Sequence, residues 1–275
     1  MVDLDARHDA AREVIEEAGA LAQSYFERVG ALPVRSKGMQ DVVTEADVAV
    51  EELIRRRLVE RFPGDAFVGE ETARTAPAPG QGVWVVDPID GTQPFISGMT
   101  GWCVSIAFVL DGALEFGFVA SPAQGELFAG GRGRAATLND VPVRLHPGRA
   151  LTDGIVAVGY SPRIGPADIL PVFDRLLTAG GTYFRNGSGA LGLCYVACGR
   201  LLGYVEPHID SWDCLGGVAA VLAAGGRTND YLSGDALLSG NRLVAGPPAV
   251  FEALATVLGP SRAAGVSSKR GADPS

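Results

Sequence analysis

Apolar residues recur at helical spacing from residue 5 to 29, at Ala10, Val14, Ile15, Ala18, Leu21, Ala22, Tyr25 and Phe26. They predict an amphipathic helix that Gly30 stops. A second helix is expected from about Thr44 to Phe62, with Thr44 as N-cap and Pro63-Gly64 as terminator. The pattern then shortens to strand-length runs, "AFVGEE" and "VWVVDP", each ending in acid. "WCVSIAFVLDGALEFGFVASPAQGELFAGG" predicts three antiparallel strands joined at Asp111-Gly112 and at Pro122 to Gly125, and "RAATLNDVPVRL" a further hairpin. Beyond about residue 148 strands and helices alternate: strands near 154–160, 182–186, 201–206 and 242–246, helices near 166–179, 188–199, 212–225 and 247–258. This predicts an α/β protein, with an α+β half over 1–148 and an α/β half over 149–258 packed as one body. Residues 259–275 lack apolar periodicity and are expected to be disordered.

Composition narrows the function classes. The chain has 275 residues, 47% hydrophobic and 20% charged, an ordinary globular balance. A net charge of −9 argues against nucleic acid or an anionic membrane as partner. The basic run Arg55-Arg56-Arg57 sits among acids and reads as a solvated helix face. No apolar run approaches the ~18–20 residues of a spanning helix, and the charged N-terminus has no signal-peptide core, so a cytoplasmic protein is expected. The four cysteines lack Cys-x-x-Cys spacing and read as reduced thiols. With only His8, His146 and His208, a His-rich metal site is excluded and a Ser-His-Asp triad has few candidate bases. There is no nucleophile elbow, Walker loop or dinucleotide fingerprint; the glycines of "AGGRGRA" read as a turn.

What remains is acid. In "VWVVDPIDGTQPF" four apolar residues, Val83 to Val86, run into Asp87 and Asp90, followed by Gly91 and Thr92. Taken singly, each acidic position has a plain local role: Asp87-Pro-Ile-Asp90-Gly as a turn, Asp213 as an N-cap, Asp47 as the partner of Thr44 in a capping box, one of Glu70 and Glu71 as a solvent-facing side chain. Taken together they offer oxygen ligands without His or Cys, the donor set that suits hard cations such as Mg²⁺. Asp87 can bridge two ions, Asp90 hold the outer one, and the Ile89 carbonyl add a ligand. Gly91 and Thr92 then open a helix whose free amides suit an anion.

These residues resemble the inositol monophosphatase superfamily of Mg²⁺-dependent, lithium-sensitive phosphatases. Its signatures correspond to "WVVDPIDGT", "SWDCLGGVAAVLAAGG", "VGEET", "KGMQDVVTEAD" and "GSGALGLCYVACGRLLGYVEPHIDSWD", in order over about residues 5–258. The resemblance implies the layered αβαβα sandwich of the sugar phosphatases and a homodimer. It implies two to three Mg²⁺ ions: Glu70, Asp87 and the Ile89 carbonyl for the first, Asp87, Asp90 and Asp213 for the second, Glu70 for a third. Gly91 and Thr92 amides would bind phosphate, and Thr92 with Asp47 and Glu70 would activate the attacking water. Asp41 would support that shell, and Lys37 is either a neighbour of the metals or a solvated loop lysine. Glu206 and Gly187-Ser188-Gly189 would line the substrate pocket, while Arg185 would recognise a polar substrate or support the subunit contact.

The implied reaction is hydrolysis of inositol monophosphate or a similar small polyol or sugar phosphate by metal-activated water. Histidinol phosphate is the enzymatic alternative, and a metal-binding regulatory homologue without turnover is the other. Three departures from the family pattern bear on the pocket: Gln93-Pro94 after the Asp-Gly-Thr segment, Gly189 where Ala is usual, implying more room or a looser helix start, and Cys214 beside Asp213.

Overall fold

The structure is a computed structural model that describes residues 2–31, 34–38, 41–72, 76–161 and 163–260, with only the backbone of 31, 34–38 and 41–43. The tail beyond residue 260 and the side chains of Lys37 and Asp41 therefore lie outside the described residues.

The two N-terminal helices form as their periodicity predicts. Helix α1 (Leu4–Phe26) is capped by Asp3, whose side chain accepts the Ala6 amide, and buries an alanine-rich stripe from Ala10 to Ala22. A short antiparallel hairpin of β1 (Val34–Gly38) and β2 (Asp41–Thr44) follows, unanticipated because its polar residues show no clear alternation. Helix α2 (Glu45–Arg61) starts with a capping box of Thr44 and Asp47.

Seven strands then build the first sheet: β3 (Ala66–Gly69), β4 (Gly82–Asp90), β5 (Cys103–Leu110), β6 (Ala113–Ser121), β7 (Glu126–Gly131), β8 (Arg134–Leu138) and β9 (Val141–Pro142), side by side in chain order. Only β3–β4 is parallel. The short helix α3 (Thr92–Ile96) leaves the end of β4. Asp111 and Gly112 both take positive φ, as a two-residue hairpin turn between β5 and β6 requires.

The second sheet runs β11 (Thr182–Phe184), β10 (Ile155–Val158), β12 (Gly203–Ile209), β14 (Asn241–Gly246), β13 (Arg227–Thr228). Its helices are α4 (Pro166–Thr178), α5 (Gly189–Ala197), α6 (Leu215–Ala223), the single turn α7 (Ala236–Ser239) and α8 (Phe251–Leu258). Strand β11 is parallel to β10 and β10 to β12, while β13 and β14 run antiparallel to their neighbours. Pro247-Pro248 delay the last helix to residue 251, and Gly259 closes it at φ +74°.

The layers stack as an αβαβα sandwich. Helices α1 and α2 cover one face of the seven-stranded sheet, α5 and α6 fill the space between the sheets, and α4 and α8 cover the far face of the second. Strand β4 is buried along its whole length. Its side chains split between two cores, Trp84 and Val86 toward α1 and α2, Val83 and Val85 toward α5 and α6. Covering both faces explains the unbroken apolar run in its sequence. Helix α6 lies close on β6 and β7 because glycines face it: a Cβ on Gly117 would come 2.7 Å from Gly216 Cα, and one on Gly130 2.6 Å from Ala220 Cα.

Candidate functional site

A bulge brings the acids of β4 together. Neighbouring side chains of a strand point to opposite faces, so residues three apart would diverge in a regular strand. Between Asp87 and Asp90 strand β4 advances three residues while β5 advances two, from Ser105 to Cys103. The extra residue re-aims the chain, and Pro88 is tolerated there because a bulge releases a ladder hydrogen bond. Asp87 Oδ1 accepts the Ile89 amide at 3.0 Å within the turn. Gly91 follows at φ +97°, and a Cβ there would meet the Gly101 carbonyl at 2.8 Å, so only glycine fits.

Carboxylate oxygens of Asp87, Asp90 and Asp213 lie within 4.8 Å of one another, as do those of Asp47, Glu70 and Glu71. Asp213 sits in the turn before α6; the N-cap is Cys214, so the capping role open to Asp213 in the sequence is not the one it plays. Burial is the largest force raising the Asp87 carboxyl well above the ordinary range, followed by repulsion from Glu70, Asp90 and Asp213. Asp90 rises to about 6 and Asp213 to about 7, both mainly through burial. Asp87 Oδ2 is buried and meets no hydrogen-bond donor among the described residues. A buried carboxylate oxygen facing two more carboxylates is satisfied by a cation or, in the metal-free protein, by a proton shared with Asp213.

Asp90 is served differently. Its Oδ2 accepts from Ser188 Oγ and the Ala190 amide, both at 2.7 Å, and Oδ1 accepts from the Gly189 amide at 3.3 Å. Ser188 also caps α5 by accepting the Leu191 amide. Asp90 thus ties the first sheet to the entry of α5, and those donors hold its carboxyl below where burial alone would put it. Asp47 has two roles at once. Oδ2 closes the capping box on Thr44, while Oδ1 lies 3.4 Å from the Thr92 hydroxyl, which also reaches the Ile89 carbonyl at 3.2 Å.

Beside the acids a cavity of about 140 Å³ is lined by Glu206, Tyr204, Arg185 and the Gly187–Gly189 loop, among others. Glu206 is bonded by the Tyr204 hydroxyl, and burial raises its carboxyl to about 8. Gly187 takes φ +94° with Pro94 packed where its Cβ would be, so the Gln93-Pro94 departure is absorbed by packing. The extra room expected at Gly189 is not there. A Cβ would come 2.8 Å from the Asp213 carbonyl and 2.7 Å from Ile209 Cδ1, so the missing methyl is filled by the turn that carries Asp213. Cys214 is buried in the core between the sheets.

Two participants, Glu51 and Cys103, were not singled out from sequence, and Glu71 is placed differently. Glu71 joins Asp47 rather than facing solvent alone, and the Glu51 carboxylate accepts the Glu71 amide at 2.9 Å. The signal was available: Glu51 lies one helical turn after Asp47, on the same face of α2. Cys103, whose thiol lies 3.4 Å from Ser188 Oγ, gave none.

A Nus factor SuhB of Haemophilus influenzae is 33% identical over 247 residues, 89% of this chain and 92% of that protein. An inositol-1-monophosphatase of Rhizobium meliloti is 32% identical over 249 residues, covering 90% and 93%. The crystal structure of the extragenic suppressor protein suhB from Bartonella henselae superposes with a TM-score of 0.85 at 30% identity, over 92% of this chain and 98% of that one. Residues 3–261, which include every acid of both clusters, match the model of the inositol monophosphatase family, and the chain belongs to that family.

Proposed function

We propose that the chain is a Mg²⁺-dependent phosphate monoesterase acting on inositol monophosphate or a similar small polyol or sugar phosphate. The observation that carries this reading is the convergence of Asp87, Asp90 and Asp213 around a carboxylate oxygen that has no donor, next to a hydroxyl and a cavity lined by Glu206. Glu70, Asp87 and the Ile89 carbonyl would hold one ion, Asp87, Asp90 and Asp213 a second, and Glu70 a third. When bound, the ions supply Lewis acidity toward water and neutralise charge on the transferring phosphoryl group.

The protein's own groups do the rest. The Thr92 hydroxyl donates a hydrogen bond to Asp47 and accepts one from the attacking water. As the water oxygen bonds to phosphorus its proton passes to the Asp47 side, where Glu70 also stands. The P–O(ester) bond breaks meanwhile, and the alkoxide leaves as the alcohol with a proton from solvent. Burial already raises the proton affinity of Asp47. The Gly91 and Thr92 amides hold phosphate oxygens. Glu206, mostly protonated at neutral pH and bonded to Tyr204, offers a hydrogen bond to a substrate hydroxyl, and the Gly187–Gly189 loop brings its backbone close to the ring. A homodimer is part of the same reading; the exposed edge strand β11, with Tyr183 and Phe184, supports it.

Phosphate release from inositol 1-phosphate, histidinol phosphate, fructose 1,6-bisphosphate and 3′-phosphoadenosine 5′-phosphate tests the proposal. Mg²⁺-dependent release that chelation abolishes and lithium inhibits is expected, and release that survives chelation would overturn the mechanism. The name Nus factor SuhB, carried by the Haemophilus influenzae relative and by several others, favours a second reading, a metal-binding regulator without turnover. Mg²⁺ binding with no release from any member of the panel would move that reading to the front.

A further inference from the structure

Arg163 and Arg185 stand at the mouth of the Glu206 cavity, outside the acid clusters. Arg163 follows β10, with its guanidinium 3.0 Å from the carboxylate of Asp210, a side chain only 3% exposed. Its Nη1 also donates to Ser161 Oγ at 3.2 Å. Arg185, ahead of the Gly187–Gly189 loop, donates to the Tyr160 carbonyl at 3.2 Å. Both guanidiniums are therefore fixed to the same short loop after β10.

Their chemistry is more than a polyol needs. Hydroxyl groups are served by Glu206 and Tyr204, whereas the planar guanidinium fork matches phosphate and carboxylate oxygens. Charge balance within the protein accounts for the pair unequally. Arg163 answers the buried Asp210 directly, whereas Arg185 is exposed, makes no ion pair among the described residues and attracts the Glu206 carboxyl only as a lesser influence beside burial. Both guanidiniums line the same cavity of about 140 Å³ as Glu206.

We propose that Arg163 and Arg185 form an anion-reading pair, so that preferred substrates carry a second anionic group, phosphate or carboxylate, besides the ester that is cleaved. This rests on the phosphatase reading above and specifies its substrate class.

The test holds the ring constant and changes one substituent: glucose 1-phosphate, glucuronic acid 1-phosphate and glucose 1,6-bisphosphate, with kcat and KM from initial phosphate release in Mg²⁺. At least one charged member should exceed glucose 1-phosphate by about tenfold or more in kcat/KM, mostly through KM. Which one does so identifies the anion. Arg185→Ala should reduce that ratio to below about threefold, and Arg185→Lys, a point charge without the fork, should keep part of it. Arg163→Ala would strand the buried Asp210, so Arg163→Met is made together with Asp210→Asn and should also lower the ratio. Equal kcat/KM for all three sugars, or a ratio that survives both variants, overturns the proposal while leaving the phosphatase reading intact. Turnover of none of them counts against the phosphatase reading instead. Calorimetric binding in Ca²⁺ then decides the arginine pair: tighter binding of a charged member supports it, and equal binding refutes it.

Discussion

Each sheet carries one strand in which an acid is followed by proline at a bulge, and the two bulges face the same cleft. In β4 the pair is Asp87-Pro88; in β12 it is Glu206-Pro207, where the register slips by one residue between Glu206 and Ile209. The backbone device is the same and the surroundings are opposite. Asp87 is aimed at other carboxylates and keeps a buried oxygen without a donor. Glu206 meets one hydroxyl, that of Tyr204, and is held up at about 8 chiefly by burial. A bulge delivers a carboxylate, and what it is delivered into decides whether it behaves as half of a cation site or as a neutral hydrogen-bonding acid.

Substitution can break this contrast. The largest effect is expected at Asp87. Asp87→Asn should lower kcat/KM more than about a hundredfold while raising the melting temperature of the metal-free protein, because a neutral amide relieves crowded, buried acids. Phosphate release and thermal unfolding in chelator read the two effects, and near-normal turnover would sink the shared-cation account. Asp90→Asn should behave oppositely in stability. Its oxygens accept from Ser188, Gly189 and Ala190, so an amide would present donors to donors and cost about 1–3 kcal/mol in urea unfolding. If the two variants shift metal-free stability in the same direction, the difference between a strained and a satisfied carboxylate is lost.

The effect of pH sharpens the same point. Asp90 and Asp213, at about 6 and about 7 in the folded state, lie above the ordinary value near 4 of the unfolded chain. The folded metal-free protein therefore binds more protons than the unfolded chain between these values. Its stability is greatest at the acid end of that window and falls as pH rises from about 4 through 7. A cation needs the ionised forms, so the gain in melting temperature from Mg²⁺ should grow between about pH 5.5 and about pH 8. A gain that is flat with pH would place the ion elsewhere. The smallest effect is expected at Glu206. Gln resembles the protonated acid, so Glu206→Gln should change kcat by less than about threefold and act mainly on KM. A loss as large as that of Asp87→Asn would erase the contrast.

Much of this was legible in the sequence because its signals are contiguous. The apolar periodicity of α1 and α2, the hairpin turn at Asp111-Gly112 and the run from Val83 into Asp87 and Asp90 each place an element or an acid within a few residues. The hairpin of β1 and β2 was missed because short, polar strands paired only with each other show no alternation. Helix α6 begins at Leu215 rather than 212, since its apolar run continues into a turn that uses Trp212 and Asp213. The pairing of Asp90 with the entry of α5 and of Arg163 with Asp210 joins residues far apart in the chain, with no local pattern to announce it. Gly189 was misread because the absence of a methyl looks like space, whereas here it is contact.

The position of α6 in the middle layer sets an order of events during synthesis. Asp213 leaves the ribosome 123 residues after Asp90, roughly 6–25 s later at ~5–20 residues per second. Throughout that interval the end of β4 lacks the turn before α6 whose Asp213 completes its acid cluster. A cation that needs all three carboxylates cannot guide the early folding of the first sheet and can only seal a structure already closed by α5 and α6.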